Sequence, residues 1–308
     1  MDLHALRASL SDYRVVLEPD RDVPEWWAGA PSAVITPDDK VILAARMREG
    51  DSPRGFRGYE IRFLESYDGV HFEKTGSIKR EALGVTGVER PALVFDPTTD
   101  KYRLYCCSGT DDGWFIFKLD DAEHPELFDP RTRRSVVAGS GLGDPVNPAV
   151  GYKDPVVFRD GDEWHMFAIA GYDVETIEHF TSPDGEEWSP SGPRPVLTND
   201  GWHDHYTRPA NVVRVGDGYL FVYEGSNRAW HDPVYNIAAG LAFSPDLSRF
   251  KDLTPTEPLL RSTTPGDFHT WRYSEWLLWR DRLYVYFEAA TPHNTNELRV
   301  AVLDPALI

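Results

Sequence analysis

The sequence predicts an all-β chain folded as a single five-bladed β-propeller. Three observations lead there. A strand–turn–strand paragraph recurs five times, with openings near residues 30, 90, 154, 208 and 275, and repeats of this length that cannot bury both faces alone stack around an axis. The composition of 24 Gly, 24 Pro, 10 Trp, 14 Tyr and 15 Phe in 308 residues suits short strands, tight turns and aromatic packing better than long helices. Each copy also turns on Asp or Gly between two apolar runs, as at Asp160-Gly161-Asp162 and Gly216-Asp217-Gly218.

Taken in order, residues 1–12 read as a helical turn or a loose arm, and 13–17 as a first strand. The first copy pairs 25–35 with 41–46 across Pro37-Asp38-Asp39, adds 59–64, and starts a fourth strand at 70–72. The second runs from Glu89 through 102–105 to 114–117, and the third from Gly151 to Ser182. The fourth begins at Thr207 and continues through 219–223 and 241–243; the fifth begins at Ser274 and continues through 283–287 and 298–302. Pro31, Pro91, Pro155, Pro209 and Trp276 set the register, at intervals of 60, 64, 54 and 67 residues. Proline at the first position of a strand removes no ladder hydrogen bond, so it can recur there. The strand at 13–17 is available to complete the fifth blade and so join the two ends of the ring.

The formal net charge of −18 argues against nucleic-acid phosphates and anionic membranes as partners, because both attract basic surfaces, and it favours a neutral ligand. A well-solvated surface accounts for the same acid excess without any chemistry. Cys106 and Cys107 are the only cysteines and are sequence neighbours, so no disulfide framework is expected. The first residues carry no basic segment followed by an apolar core, and no stretch approaches 18 apolar residues, which leads to the expectation of a cytoplasmic protein.

In a propeller the first strand of each blade lines the axis, so the residues that open these strands converge on one mouth. On the register above they are Ala30, Arg90 with Glu89, Asp154, Arg208 and Glu275; the second strands return to the same end with Arg46, Arg48, Glu224 and Glu288. Such a mixture of buried charge is either a salt-bridge plug or a binding site. Paired carboxylates among aromatics suit glycoside hydrolysis. Trp27, Tyr206 and Tyr273 lie near the openings and offer faces for sugar rings, as do Trp26, Trp202, Trp230 and Trp271, although most tryptophans in a propeller are inter-blade core. His203 and His205, with Asp204 or His231, have the spacing to share a face as metal ligands; an ordinary polar loop is the favoured reading, and no metal or cofactor is expected.

These residues carry a resemblance. The x-Pro openings, Lys153-Asp154-Pro155 above all, and the Ser-Pro-Asp-Gly turn at 182–185 resemble the five-bladed glycoside hydrolases of families 43, 62, 32 and 130. Residues 45–50 (Ala-Arg-Met-Arg-Glu-Gly), with Gly87-Val-Glu-Arg-Pro91 and Tyr152-Lys-Asp154, look most like family 130 and its unclassified neighbours. The resemblance implies hydrolysis or phosphorolysis of furanosides, xylosides or mannosides, and similar hydrolases can hold a structural cation in the channel. Enzymes similar to family 43 place an aspartate base in the first blade, where this chain has Ala30, and a glutamate acid in the fourth, where it has Arg208; the third-blade aspartate is kept as Asp154. The aspartate acid of family 130 is replaced by Arg90.

The acids that remain, Glu89, Asp154 and Glu275, occupy blades two, three and five, a triangle that rotates onto the family 43 set. On that basis Glu275 is the expected base, Glu89 and Asp154 divide the roles of acid and orienting carboxylate, and Arg90 and Arg208 hold hydroxyls. The expected activity is inverting hydrolysis of a small neutral oligosaccharide or glycoside. The alternatives are a phosphorylase of the family 130 type, its phosphate held by Arg46, Arg48, Arg90 and Arg208, and a carbohydrate-binding propeller without catalysis.

Overall fold

The computed structural model describes residues 1–308 except 54–55, 111–112, 139–150, 172 and 232–235. It begins with helix α1 (Leu3–Ser9), capped by the Asp2 side chain, which accepts from the His4 and Ala5 amides. Strand β1 (Arg14–Leu17) follows. The first blade is β2 (Trp27–Ile35), β3 (Val41–Arg48), β4 (Gly58–Ser66) and β5 (Glu73–Lys79). The second is β6 (Glu89–Asp96), β7 (Lys101–Thr110), β8 (Gly113–Lys118) and β9 (Arg134–Ala138), and the third is β10 (Tyr152–Asp160), β11 (Glu163–Ala170), β12 (Thr176–Ser182) and β13 (Ser189–Ser191). The fourth is β14 (Tyr206–Val215), β15 (Gly218–Ser226), β16 (Ala238–Ser244) and β17 (Lys251–Asp252), and the fifth is β18 (Trp271–Trp279), β19 (Arg282–Ala290) and β20 (Asn296–Leu303). The fourth strand of the first blade starts at Glu73 rather than Val70, because Asp68 accepts from the Val70 and His71 amides and holds that segment in a turn.

The first strands touch in a closed circle: β2 lies against β6, β6 against β10, β10 against β14, β14 against β18, and β18 against β2. The predicted closure is present. β1 runs antiparallel to β20, with Arg14 opposite Val300, and supplies the fifth blade's fourth strand. Trp27 also pairs with Asn296 in parallel, so that β2 and β20 join the first blade to the fifth.

Side chains alternate across a strand, and here each face belongs to a different neighbour. Leu104 and Cys106 of β7 pack against the first blade's Ile42 and Phe63, whereas Tyr105 and Cys107 pack against the third blade's Trp164 and Met166. The two cysteines are free thiols pointing opposite ways. The same division gives one apolar cluster per blade interface, five in all among the described residues. Trp202 and Trp271 belong to two of these clusters and are not open sugar platforms. Helix α1 and its C-cap residue insert Leu6 and Leu10 into the cluster between the fourth and fifth blades.

Candidate active site

Each first strand is bulged where it leaves the mouth. The ladder skips from Gly29 to Ser32, from Glu89 to Ala92, from Lys153 to Val156 and from Arg272 to Glu275, with a shorter irregularity between Pro209 and Asn211. The residues left out of the ladder are Ala30-Pro31, Arg90-Pro91, Asp154-Pro155 and Tyr273-Ser274. A bulge re-aims a side chain, and at Ala30, Asp154 and Tyr273 it does so through φ values of +48°, +53° and +50°. Left-handed backbone at an alanine or tyrosine costs about 1–3 kcal/mol, a strain that clusters at functional sites.

This register corrects the fifth blade. Its opening residue is Tyr273, with Ser274 where the first three blades carry proline, so Glu275 lies two residues further along the strand. Glu275 instead lines an axial cavity of about 220 Å³ together with Ser32, Arg90 and Asn211 among apolar side chains. Burial pushes its carboxyl up to about 8, against partial relief from Arg90 and Asn211. The expected triangle of Glu89, Asp154 and Glu275 at one level does not form.

At the mouth itself the charges are interlocked. Arg46 donates to Glu89 Oε2 at 2.6 Å and to Glu288 Oε2 at 2.9 Å, bridging the first, second and fifth blades. Glu288 also accepts from Arg272 Nε at 2.9 Å, Asn296 Nδ2 at 2.6 Å and the Ala30 amide at 3.1 Å. Gly29 makes room for it: a Cβ there would sit 2.0 Å from Glu288 Oε2. Arg48 Nε lies 3.7 Å from Glu89 Oε1. Arg90 crosses the axis from the second blade to the fourth, donating to Pro209 O at 2.7 Å and to Ala210 O. Glu175, on the segment that leads into β12, accepts from Lys153 Nζ at 2.7 Å and from Arg208 Nε. The terminal nitrogens of Arg208 have no hydrogen-bond partner among the described residues.

Tyr273 sits at the centre. Its ring centroid is 4.7 Å from the Arg272 guanidinium, 5.3 Å from that of Arg90 and 5.4 Å from that of Arg46. Its amide donates to Glu224 Oε1 at 2.6 Å, and its hydroxyl donates to Asp154 Oδ2 at 2.9 Å. Asp154 further receives the Cys107 thiol on Oδ1 at 3.4 Å, and its own amide donates to that sulfur at 3.2 Å.

The two carboxyls tied to Tyr273 are driven apart electrostatically. Burial acts against the charge of Asp154, but Lys153, Arg208 and Arg90, with the Tyr273 hydroxyl, outweigh it and hold the carboxyl below the usual aspartate range. Burial dominates at Glu224 and raises it to about 7, even though Arg90, Arg208 and Arg272 pull the other way. Oε2 of Glu224 is buried and has no hydrogen-bond partner among the described residues.

Asp154, Glu89, Arg46, Arg48, Arg90, Arg208, Glu224, Glu288 and Tyr273 therefore meet as anticipated, and Glu275 does not. Glu89 forms ion pairs with Arg46 and Arg48. Glu288 is fully buried under its donors. Trp27 is 2% exposed, with Arg48 and Arg272 over its ring at 4.3 and 4.8 Å, so it backs the arginines and does not present a face to sugar. Tyr206 remains half-buried beneath Arg208, 4.6 Å from the guanidinium. Sequence reasoning missed Lys153 as a charge, Cys107, Glu175 and Arg272. Cys107 pairs with Glu89 at the second-strand position that carries Arg46, Glu224 and Glu288 in other blades, so aligning the second strands reveals it; Glu175 lies outside every strand and has no such signal. No cluster of metal-ligating side chains occurs among the described residues.

No protein-family model matches the chain, and no curated protein matches it. Solved structures do. The complex of BT0996 with RGII superposes with a TM-score of 0.73 at 15% identity, over 99% of the present protein and 96% of that one. The β-1,2-mannobiose phosphorylase of Listeria innocua in complex with β-1,2-mannobiose gives 0.63 at 13% identity, over 94% and 93% of the two proteins. An α-L-arabinofuranosidase from Lactobacillus brevis gives 0.64 at 12% identity, over 92% of each. At these identities the likeness establishes the fold: the protein has the five-bladed propeller architecture found in glycoside hydrolases and phosphorylases.

Proposed function

We propose that the protein is a glycosidase that cleaves a small saccharide at this mouth, with Glu224 as proton donor, Asp154 as the ionised carboxylate and water as nucleophile. One observation carries the reading: a single residue, Tyr273, fixes two carboxyl groups whose environments push their proton affinities in opposite directions. Such a divergence is how one site supplies acid and base at the same pH. Oε2 of Glu224 is buried and unpartnered, and it is the atom we assign to pass a proton to the departing glycosidic oxygen. Asp154 stays charged, so it stabilises positive charge developing at the anomeric carbon and, as general base, takes the proton of the attacking water as the new bond forms.

The carboxyls are held one tyrosine apart, main-chain nitrogen to phenolic oxygen. Each carboxyl lies one further hydrogen bond beyond its end of the tyrosine, which supports a pair wide enough to admit the water that inverting enzymes place between their two groups. The carbohydrates held or processed by similar propellers support a saccharide as substrate. Phosphorolysis is less well served, because Arg46 and Arg48 are engaged by carboxylates and Arg90 by backbone carbonyls.

The test is a panel of nitrophenyl furanosides and pyranosides, with and without inorganic phosphate, followed by proton NMR of the first-formed anomer. Phosphate-independent release with inverted configuration is expected. A strict phosphate requirement would establish a phosphorylase, and saccharide binding without turnover a binding module.

A further inference from the structure

The molecule carries a net charge of −18, yet its mouth is locally basic. Arg46, Arg48, Arg90, Lys153, Arg208 and Arg272 face five carboxyl groups there, and one of the five, Glu224, must be protonated to donate. The excess is not spread evenly. Arg46 and Arg272 are matched to Glu89 and Glu288, and Lys153 to Glu175. Arg208 shares that same Glu175 through Nε and offers two terminal nitrogens with no partner among the described residues, although only 4% of its surface is exposed. Neither terminal nitrogen is among the side-chain atoms that are both buried and unpartnered, so both are open to an arriving ligand, and a guanidinium binds an oxyanion through charge-assisted hydrogen bonds. Tyr206, stacked 4.6 Å away, holds the guanidinium against the fourth blade and still leaves it facing the mouth.

We propose that the saccharide handled by this site carries a carboxylate, as a uronic acid does, and that Arg208 binds it through its two terminal nitrogens. This rests on the glycosidase reading and replaces the neutral substrate suggested by overall charge with an acidic one. A planar guanidinium pairs with a carboxylate through two parallel hydrogen bonds, which orients the sugar ring as well as attracting it. The acid excess elsewhere on the surface does not prevent this, because a cleft with low-dielectric walls focuses its own local field. Inorganic phosphate offers similar oxyanion chemistry, so the experiment must separate the two.

Calorimetric titration of the whole protein with methyl uronosides, the matching uronamides, the parent neutral hexosides and inorganic phosphate makes the test. At least one uronoside is expected to bind about tenfold or more tightly than its own uronamide, with an advantage that shrinks as salt is added. Arg208→Gln should abolish the preference and Arg208→Lys should keep part of it. The acid–amide comparison on the unaltered protein stands even if a variant misfolds. Equal binding of acid and amide, no binding across the panel, or binding of phosphate alone overturns the proposal. Nitrophenyl uronosides separate it from the catalytic reading: acid-selective binding without turnover leaves Arg208 in its role and removes the glycosidase, whereas turnover of neutral glycosides with no preference for acids does the reverse.

Discussion

Glu224 is buried beside three guanidiniums and is nevertheless raised to about 7, because desolvation outweighs the attraction of Arg90, Arg208 and Arg272. The donating form is the protonated one, so turnover should fall as pH rises through about 7, while the depressed Asp154 keeps the acidic limb below the ordinary aspartate range. Glu224→Gln should lower kcat by about 10²–10⁴-fold on glycosides with poor leaving groups and erase the alkaline limb; a pH–rate profile of both proteins checks it. Glu275 makes a separate prediction. The native chain keeps its carboxyl protonated up to about 8, whereas the unfolded chain releases that proton above the ordinary 4.5. The native state thus binds more protons across that window, and stability drops with rising pH by about 1.4 kcal/mol per unit from this residue. Glu275→Gln removes the penalty: urea titrations should show a stability gain that is small at pH 5 and a few kcal/mol larger, on the order of the full linkage, at pH 8, with turnover unchanged. At this scale the residue types at the mouth were legible, since charge at strand ends is visible in the sequence. The pairing was not, because each partner of Tyr273 comes from another blade and depends on a bulge.

The bulges explain what the strands disclosed and what they hid. Proline after the unpaired residue marks the first three openings, and those three registered correctly from sequence. In the fourth, Pro209 is itself paired with Tyr223 and Ala210 is left out, so Arg208 matches Glu89 and the sequence register is off by one residue. The fifth has Ser274 there, whose hydroxyl accepts from Trp276 Nε1 at 3.0 Å, and aligning on Trp276 displaced the strand by two residues. Two residues restore the same face of a strand, so Glu275 still points to the axis, but below Arg90 and not at the mouth. The bulge also requires close approach on β2. Gly29→Ala would drive Glu288 out of its contacts with Arg46 and Arg272, and separating a buried ion pair costs about 3–5 kcal/mol; chemical denaturation should show that loss, and turnover should fall with the displaced Arg46.

For the whole molecule, five repeats and their closure were legible because period and turn chemistry are local, and five inter-blade clusters follow from simple alternation once the blades are ordered. Helix α1 is part of that packing. Leu10→Ala leaves a cavity between the fourth and fifth blades, and the expected cost is about 2–5 kcal/mol, read as a lower denaturation midpoint with unaltered substrate specificity. The closure itself has a consequence for biosynthesis. Arg14 pairs with Val300, and Arg46 in the first blade is neutralised by Glu288 in the fifth, so a ribosome that has delivered four blades has delivered an open arc with Arg46 still lacking one of its two counter-charges. The seam and the mouth are finished by the same segment, β19 and β20, and a nascent protein completes its charged mouth in the step that makes it a ring.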